Sequence, residues 1–229
     1  MTYDQLVIAI QSYTENQFPE VYLADGSTES STTQINRFIQ QAEQRIYNSV
    51  QFPSIRKNVT GVTISGNKYL ACPDDFLAVY SMSVDTADGQ EFLLNKDVNF
   101  IRQAYPKATD TATPKYYALF GPQTTSENEL TFILGPTPDA IYTIELHYYF
   151  YPESITTVAG GQTWLGDNFD SVLLYGSLVE TITYMKGEQD LVALYDGKYK
   201  EALMLAKRLG DGMEKQDQYR SGSYRQAVT

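Results

Sequence analysis

The spacing of apolar residues changes twice along this chain of 229 residues, and that change constrains the fold more than any other feature. Up to about residue 53, apolar side chains recur every three or four positions, which is the period of an amphipathic helix. From about residue 54 they alternate with polar side chains, which is the period of a strand with one buried face. After about residue 163 the helical period returns. The sequence therefore predicts helices, then strands, then helices again.

These period changes predict four parts. Residues 1–53 and 164–210 each supply two helices to one antiparallel bundle, because their apolar stripes need partners to cover them. Residues 54–163 form an inserted antiparallel β domain, a sandwich or a barrel, so the fold class is α+β. Residues 211–229 are polar and lack a period, which predicts a flexible, extended C-terminal arm. The predicted bundle core contains Phe38, Ile39, Ala42, Leu174, Leu178 and Ile182.

Turn and cap signals place several boundaries. Thr2 and Gln5 have the spacing of a capping box at the start of the first helix. The pairs Gly66-Asn67 and Asp88-Gly89 each predict the turn of a β-hairpin. Gly210 stands where a glycine ends a helix. The stretch "ENQFPEVYLADGSTESS", between the first two helices, is interpreted as a polar loop.

The only histidine, His147, lies two positions from Glu145 on a predicted strand, so the two side chains share a face. That face is half polar, and we interpret the pair as solvated surface and not as a general acid and base. One histidine and one cysteine, Cys72, are too few for a zinc site, and no nucleophile motif or phosphate-binding loop occurs. We predict no enzyme activity, no metal and no cofactor.

Two carboxylate pairs keep a hydrolase hypothesis open. Asp74 and Asp75 suit a turn before a strand, whereas Asp167 and Asp170 suit the N-terminus of a helix. A hydrolase acting on cell wall or nucleic acid needs two carboxylates that face one cleft, and the sequence does not single out such a pair.

The formal net charge is −11, which argues against a protein that grips nucleic acid over its whole surface. The single cysteine rules out a disulfide within the chain. The N-terminus lacks the pattern of a signal peptide, and no apolar run has the length of a membrane span. We therefore expect a soluble protein, made in a cytoplasm, with no membrane partner.

Several stretches, in this order, resemble bacteriophage head-to-tail adaptor proteins, also called neck or connector proteins. They are "INRFIQQAEQRIYNSVQFPSIR", "CPDDFLAVYSMSV", "TPKYYALFG", "LTFILGPTPDAIYTIELHYYFYP" and "TWLGDNFDSVLLYGSLVETITYMKGEQDLVALYDGKYKEAL". The resemblance covers roughly residues 33 to 205. It implies a helical bundle with an inserted β domain, as the period changes also predict.

The resemblance further implies a structural protein of the virion neck. Such adaptors form a ring, usually of twelve subunits, that joins the portal protein to tail or nozzle proteins and continues the DNA channel. The DNA passes through without specific binding. Their C-terminal segment commonly reaches along the portal, so Tyr219, Arg220, Tyr224 and Arg225 of the arm are candidates for portal or subunit contact.

A binding module is the alternative from another functional class. In that interpretation the β domain recognises carbohydrate or a host surface, and the helices form an oligomerisation stem. Nineteen tyrosines and Trp164 supply rings that stack on sugars. Because Trp164 is the only tryptophan and lies beside a predicted helix start, we expect it to pack against that helix instead.

Overall fold

The computed structural model describes residues 1–107, 109–121 and 130–213. Its contacts divide the chain into two compact units. A helical unit joins residues 1–54 to the chain from Pro152 onward, and a β unit comprises Ile55–Tyr151. The predicted mixed α+β class is confirmed.

The helical unit is built around one central helix, α5, which packs against α1, α2 and α6. A small hairpin of β1 and β2 precedes α2. The elements are α1 (Tyr3–Thr14), β1 (Val21–Tyr22), β2 (Thr28–Glu29), α2 (Ser31–Ser49), α4 (Trp164–Asn168), α5 (Asp170–Tyr184) and α6 (Gln189–Met213). The six side chains predicted for the bundle core, from Phe38 to Ile182, are all buried in this unit.

A glycine lets the helices of this unit approach closely. A Cβ placed on Gly176 of α5 would lie 3.3 Å from the Cβ of Ala42 on α2 and 3.2 Å from the ring of Tyr199 on α6. These distances are tighter than ordinary van der Waals contact, so a side chain at position 176 would push the helices apart. Gly176 is thus a packing residue, at the point where α5 meets both neighbours.

The predicted helix start at Asp167 is wrong, because α4 begins at Trp164 and α5 begins at Asp170. The chain first forms the short α4, capped by Thr163, whose hydroxyl accepts a hydrogen bond from the amide of Gly166 at 3.2 Å. The helix is then interrupted at Phe169, whose ring lies 5.0 Å from that of Phe52 and 5.5 Å from that of Trp164. Asp167 lies in the first turn of α4 and Asp170 in the first turn of α5, as predicted for a helix N-terminus, although neither is the N-cap residue.

Gly210 does not end the last helix. Helix α6 continues to Met213, so the predicted start of the arm at residue 211 is wrong. A Cβ on Gly210 would lie 3.2 Å from Val50 and 3.3 Å from the carbonyl oxygen of Gln51. The glycine therefore allows α6 to pack closely against the residues at the end of α2, and it does not change the direction of the backbone.

The β unit contains two four-stranded sheets, with strand orders β3-β10-β5-β6 and β4-β9-β8-β7. Its elements are β3 (Arg56–Val62), β4 (Tyr69–Ala71), β5 (Ala78–Thr86), β6 (Gly89–Phe92), β7 (Leu94–Asn95), α3 (Val98–Ala104), β8 (Tyr116–Phe120), β9 (Thr131–Gly135) and β10 (Thr143–Tyr149). Buried side chains of both sheets meet in one cluster, which includes Met82, Phe132 and Tyr148. Each sheet has two edge strands within the described residues, so the barrel alternative is wrong.

Two predictions about strand pairing fare differently. Asp88-Gly89 does join β5 to β6 as a hairpin, with Thr86 opposite Gly89. The hairpin predicted at Gly66-Asn67 is wrong, because β3 pairs with β10 and β4 pairs with β9. The turn at Gly66 carries the chain from one sheet to the other, so a turn signal identifies a reversal but not the partner strand.

One pair of strands departs from the antiparallel prediction. β7 and β8 run parallel, with Leu94 opposite Tyr116. The connection between them contains α3, and such a crossover returns the chain to the same end of the sheet. Helix α3 packs on this sheet through Ile101, which is buried with Ala118 and Ile133.

Residues 152–163, which the sequence places in the β domain, belong to the helical unit. The amide of Ile155 donates to the buried carboxylate of Glu43 on α2 at 3.0 Å. The amide of Tyr3, in the first turn of α1, donates to the carbonyl of Gly161 at 2.8 Å. These hydrogen bonds satisfy backbone groups that no helix or strand pairs.

Candidate interaction surfaces

The Glu145–His147 pair forms a tie between strands on one face of the β10 sheet. The carboxylate of Glu145 accepts hydrogen bonds from Asn58 of β3 at 2.7 Å and Gln90 of β6 at 2.6 Å. His147 Nε2 lies 3.2 Å from the same carboxylate. The hydrogen bond from Asn58, then that from Gln90, holds the pKa of Glu145 below its usual range. A general acid needs the opposite shift, so this geometry suits cross-strand stabilisation.

Asp75 is likewise engaged in structure. It accepts the hydroxyl of Tyr148 at 2.6 Å and pairs with Lys57 at 2.7 Å. Partial burial opposes ionisation, but these hydrogen bonds outweigh it and hold the pKa of Asp75 below its usual range. Among the residues that the structure describes, no three His, Cys, Asp or Glu side chains are grouped so as to hold a metal ion.

One exposed apolar segment of the helical unit lies on its hairpin. We call Val21, Tyr22 and Leu23 the hairpin tip; their exposed fractions are 38%, 81% and 42%. β1 pairs with β2 through Tyr22 opposite Thr28, and the turn closes with the amide of Leu23 donating to Ser27 at 2.8 Å. The polar-loop prediction for this stretch is wrong.

The base of the hairpin is anchored to α2 although its tip is free of the core. Glu29 is buried and forms an ion pair with Arg37. The side-chain amide of Gln34 donates to the carbonyls of Pro19 and Glu29. Phe18, before the hairpin, packs its ring 5.8 Å from that of Phe38. The hairpin is therefore held in one direction by buried contacts at its base.

Helix α6 carries a second apolar stripe that the helical unit does not cover. The α6 stripe comprises Leu191, Leu194, Leu205 and Leu209, with exposed fractions of 44%, 52%, 57% and 48%. At about 100° per residue these four side chains lie within about 60° of one another around the helix axis. The covered face of α6 is a different one, which contains Tyr199 and Ala206. Exposed leucines in a line are typical of a surface that meets a partner.

A row of aromatic rings borders the α6 stripe. Tyr195 of α6 lies 6.3 Å from Tyr13 of α1 and stacks 6.4 Å from Tyr175 of α5, as measured between ring centroids. The ammonium of Lys198 lies 5.6 Å from the ring centre of Tyr175. Tyrosine-rich surfaces beside exposed apolar groups are common in protein interfaces.

Comparison with known proteins gives the functional context of these surfaces. The sequence model of the SU10 adaptor protein family matches residues 1–227. The chain belongs to the SU10 adaptor protein family. This membership confirms the predicted resemblance to phage head-to-tail adaptors. A search of curated proteins finds no match.

Membership in this adaptor family identifies a structural role in the virion, at the head-to-tail junction, in contact with other head or tail proteins. The relevant chemistry is thus recognition between proteins. No described helix combines the length and the apolarity needed to cross a membrane. The predicted arm residues Tyr219, Arg220, Tyr224 and Arg225 lie outside the described part of the chain.

Trp164 and two of the tyrosines that suited a sugar-binding module have partners within the protein. Trp164 packs 5.1 Å from Phe52 and 5.5 Å from Phe169. In the β unit, Arg56 lies 4.8 Å from the ring centre of Tyr80 and 5.6 Å from that of Tyr149. These contacts cover faces that a sugar would need.

Neither the hairpin tip nor the α6 stripe is predicted from the sequence. An Asp25-Gly26 turn flanked by "VYL" and "ST" was the available signal for the hairpin. For α6, apolar positions spread over too wide an arc for one buried stripe were the signal.

Proposed function

We propose that this chain is the subunit of a ring, of twelve copies, that joins the portal to the tail and continues the DNA channel. The observation that carries the proposal is the match of the adaptor family over residues 1–227. In this proposal the four long helices form an antiparallel bundle and the two sheets form a sandwich. Neighbouring subunits meet through the helical unit, and tail or nozzle proteins bind the far side of the ring.

The charge of the chain supports a channel role. A net charge of −11 repels the phosphate backbone, so DNA slides past without specific binding. The exposed hairpin tip and α6 stripe supply the unlike surfaces that a ring contact needs. The C-terminal residues 214–229 are assigned to the portal, through Tyr219, Arg220, Tyr224 and Arg225.

Purified portal protein of the same phage tests the proposal directly. The full chain is expected to bind portal and to bring tail protein into the same complex. A chain that ends at Met213 is expected to lose most of its portal affinity, while one whose residues 214–229 are scrambled controls for length and charge. A full chain that binds neither portal nor tail protein would sink the proposal.

A further inference from the structure

The helical unit displays two unlike apolar surfaces, the hairpin tip and the α6 stripe. We infer that the hairpin tip of one copy docks on the α6 stripe of a second copy, in a head-to-tail contact. The inference rests on the proposed ring function and names the surfaces that would build the ring.

The hairpin tip is built as a protruding knob. Its three neighbouring apolar side chains lie outside the buried core, and Tyr22 is the most exposed large apolar side chain of the described residues. A two-stranded hairpin without a covered face is marginally stable in water. Docking on an apolar surface would remove Tyr22 from water and order the strands.

The α6 stripe has the form of a receiving surface. Leu194 and Leu205 are separated along the helix by three turns, and Lys198 and Ala202 lie on the same face between them. The aromatic row of Tyr13, Tyr195 and Tyr175 forms a wall on one side. An aromatic knob fits such a shallow apolar face with a polar rim.

Charge identifies the occupant as a second copy. Residues 15–28 contain three exposed carboxylates and no Lys or Arg: Glu15, Glu20 and Asp25. Glu29 is not counted, because it is buried and paired with Arg37. The span of the α6 stripe, residues 191–209, contains four cations and two carboxylates: Lys198, Lys200, Lys207 and Arg208 against Asp196 and Glu201. Lys200 pairs with Asp196 at 2.6 Å, which leaves Lys198, Lys207 and Arg208 for a partner. The acidic hairpin therefore complements the basic half of α6. Two hairpins facing each other would bring like charges together, which disfavours a symmetric pair.

The two surfaces differ, so the contact is heterologous. Each copy offers its hairpin to one neighbour and its α6 stripe to another. A heterologous contact closes into a ring when the rotation that relates one copy to the next is a whole fraction of 360°. The same two surfaces then repeat at every junction.

Sedimentation of single variants provides the first part of the test. The hairpin variant is Tyr22→Ser with Leu23→Ser, and the stripe variant is Leu194→Ser with Leu205→Ser. Ile8→Ser with Ile141→Ser is the matched control, because these side chains are 65% and 73% exposed elsewhere. The wild type is expected to associate, less at high salt. Each of the two variants is expected to lose at least roughly ten-fold in association, and the control to keep it. Circular dichroism checks that all variants remain folded.

Mixing provides the decisive part. The hairpin variant retains an intact stripe, and the stripe variant retains an intact hairpin. A mixture is therefore expected to form one junction and stop at a 1:1 pair, twice the 25.8 kDa chain. A mixture that stays monomeric while the wild type associates would overturn the inference. So would either variant alone if it associated as strongly as the wild type.

Failure of the inference is distinguishable from failure of the ring proposal. Rings formed equally by wild type and both variants would overturn these surfaces and leave the ring standing. A wild-type chain that stays monomeric up to about 1 mM, yet assembles on portal, would also overturn these contact surfaces and leave the ring proposal standing. Variants that lose portal binding but keep self-association would assign the surface to portal and overturn the inference.

Discussion

The carboxylate of Glu43, buried in α2, accepts the backbone amide of Ile155 at 3.0 Å. The two residues are 112 positions apart, and the hydrogen bond ties the segment after the β unit to the second helix. Burial raises the pKa of Glu43 although this hydrogen bond opposes the shift. The side chain therefore stabilises the chain path, while burial disfavours its charged form.

Replacement of Glu43 by Gln should raise stability at neutral pH. An acid with a raised folded pKa contributes no penalty below its ordinary value near 4.5, and the penalty grows as the pH rises through the folded pKa. Glutamine keeps an oxygen for Ile155 but has no charge, so this pH dependence should disappear. Denaturant unfolding at several pH values measures it. Glu43→Ala is the control, and it should cost roughly 1–3 kcal/mol because the amide of Ile155 loses its acceptor.

Gly176 and Gly197 should respond in opposite directions to the same substitution. Gly176→Leu is expected to destabilise by about 1–3 kcal/mol, since a side chain there meets Ala42 and Tyr199. Gly197→Leu on α6 has open space around it and should stabilise by about 0.5–1 kcal/mol through helix propensity. Thermal and urea unfolding measure both variants. Equal effects at the two positions would contradict the packing described for α5.

Removal of one hydroxyl should change the titration of Asp75. Tyr148→Phe keeps the buried ring but removes the hydrogen bond to Asp75, so the pKa of Asp75 should rise toward 3.8. A carboxyl with a lowered pKa stabilises the fold above its unfolded value, and this stabilisation is lost as the pH falls through the folded pKa. The variant should lose about 0.5–1.5 kcal/mol near pH 7. Carboxyl carbon shifts in an NMR titration check the pKa, and an unchanged Asp75 would refute the contact.

Cys72 should be inert in the folded protein. It is 7% exposed, and burial raises the pKa of its thiol to about 12. Little thiolate exists at pH 7–8, so a thiol reagent should react only after unfolding. The measurement is the rate of labelling with and without denaturant. Rapid labelling of native protein would show that the cluster around Met82 and Phe132 is open.

The period of the sequence predicted the larger elements well because burial decides them. On β10 the predicted shared face of Glu145 and His147 is half-buried, while Ile144, Leu146 and Tyr148 are buried on the opposite face. The capping box of Thr2 and Gln5 is confirmed, since that interaction is local.

Predictions failed where a distant contact decides the outcome. Gly66-Asn67 forms a turn, but long-range pairing sends β3 to β10 and β4 to β9. Gly210 resembles a helix end, but Val50 and Gln51 require a small residue in a continuing helix.

The candidate surfaces were the hardest to predict from sequence. An exposed leucine and a buried one have the same chemistry, so the α6 stripe is recognised only when the covered face of the helix is known. The hairpin tip depends on Phe18 and Glu29 fastening its base to α2. That anchorage is not visible in a run of polar residues.

The number of copies bound to the portal decides whether this chain forms a ring of twelve. Native mass spectrometry of the full chain bound to portal would count its copies. We expect twelve copies, which is twelve times 25.8 kDa or about 310 kDa added to the portal ring. A portal ring that gains no mass, or gains copies that form no closed ring in electron micrographs, would contradict it.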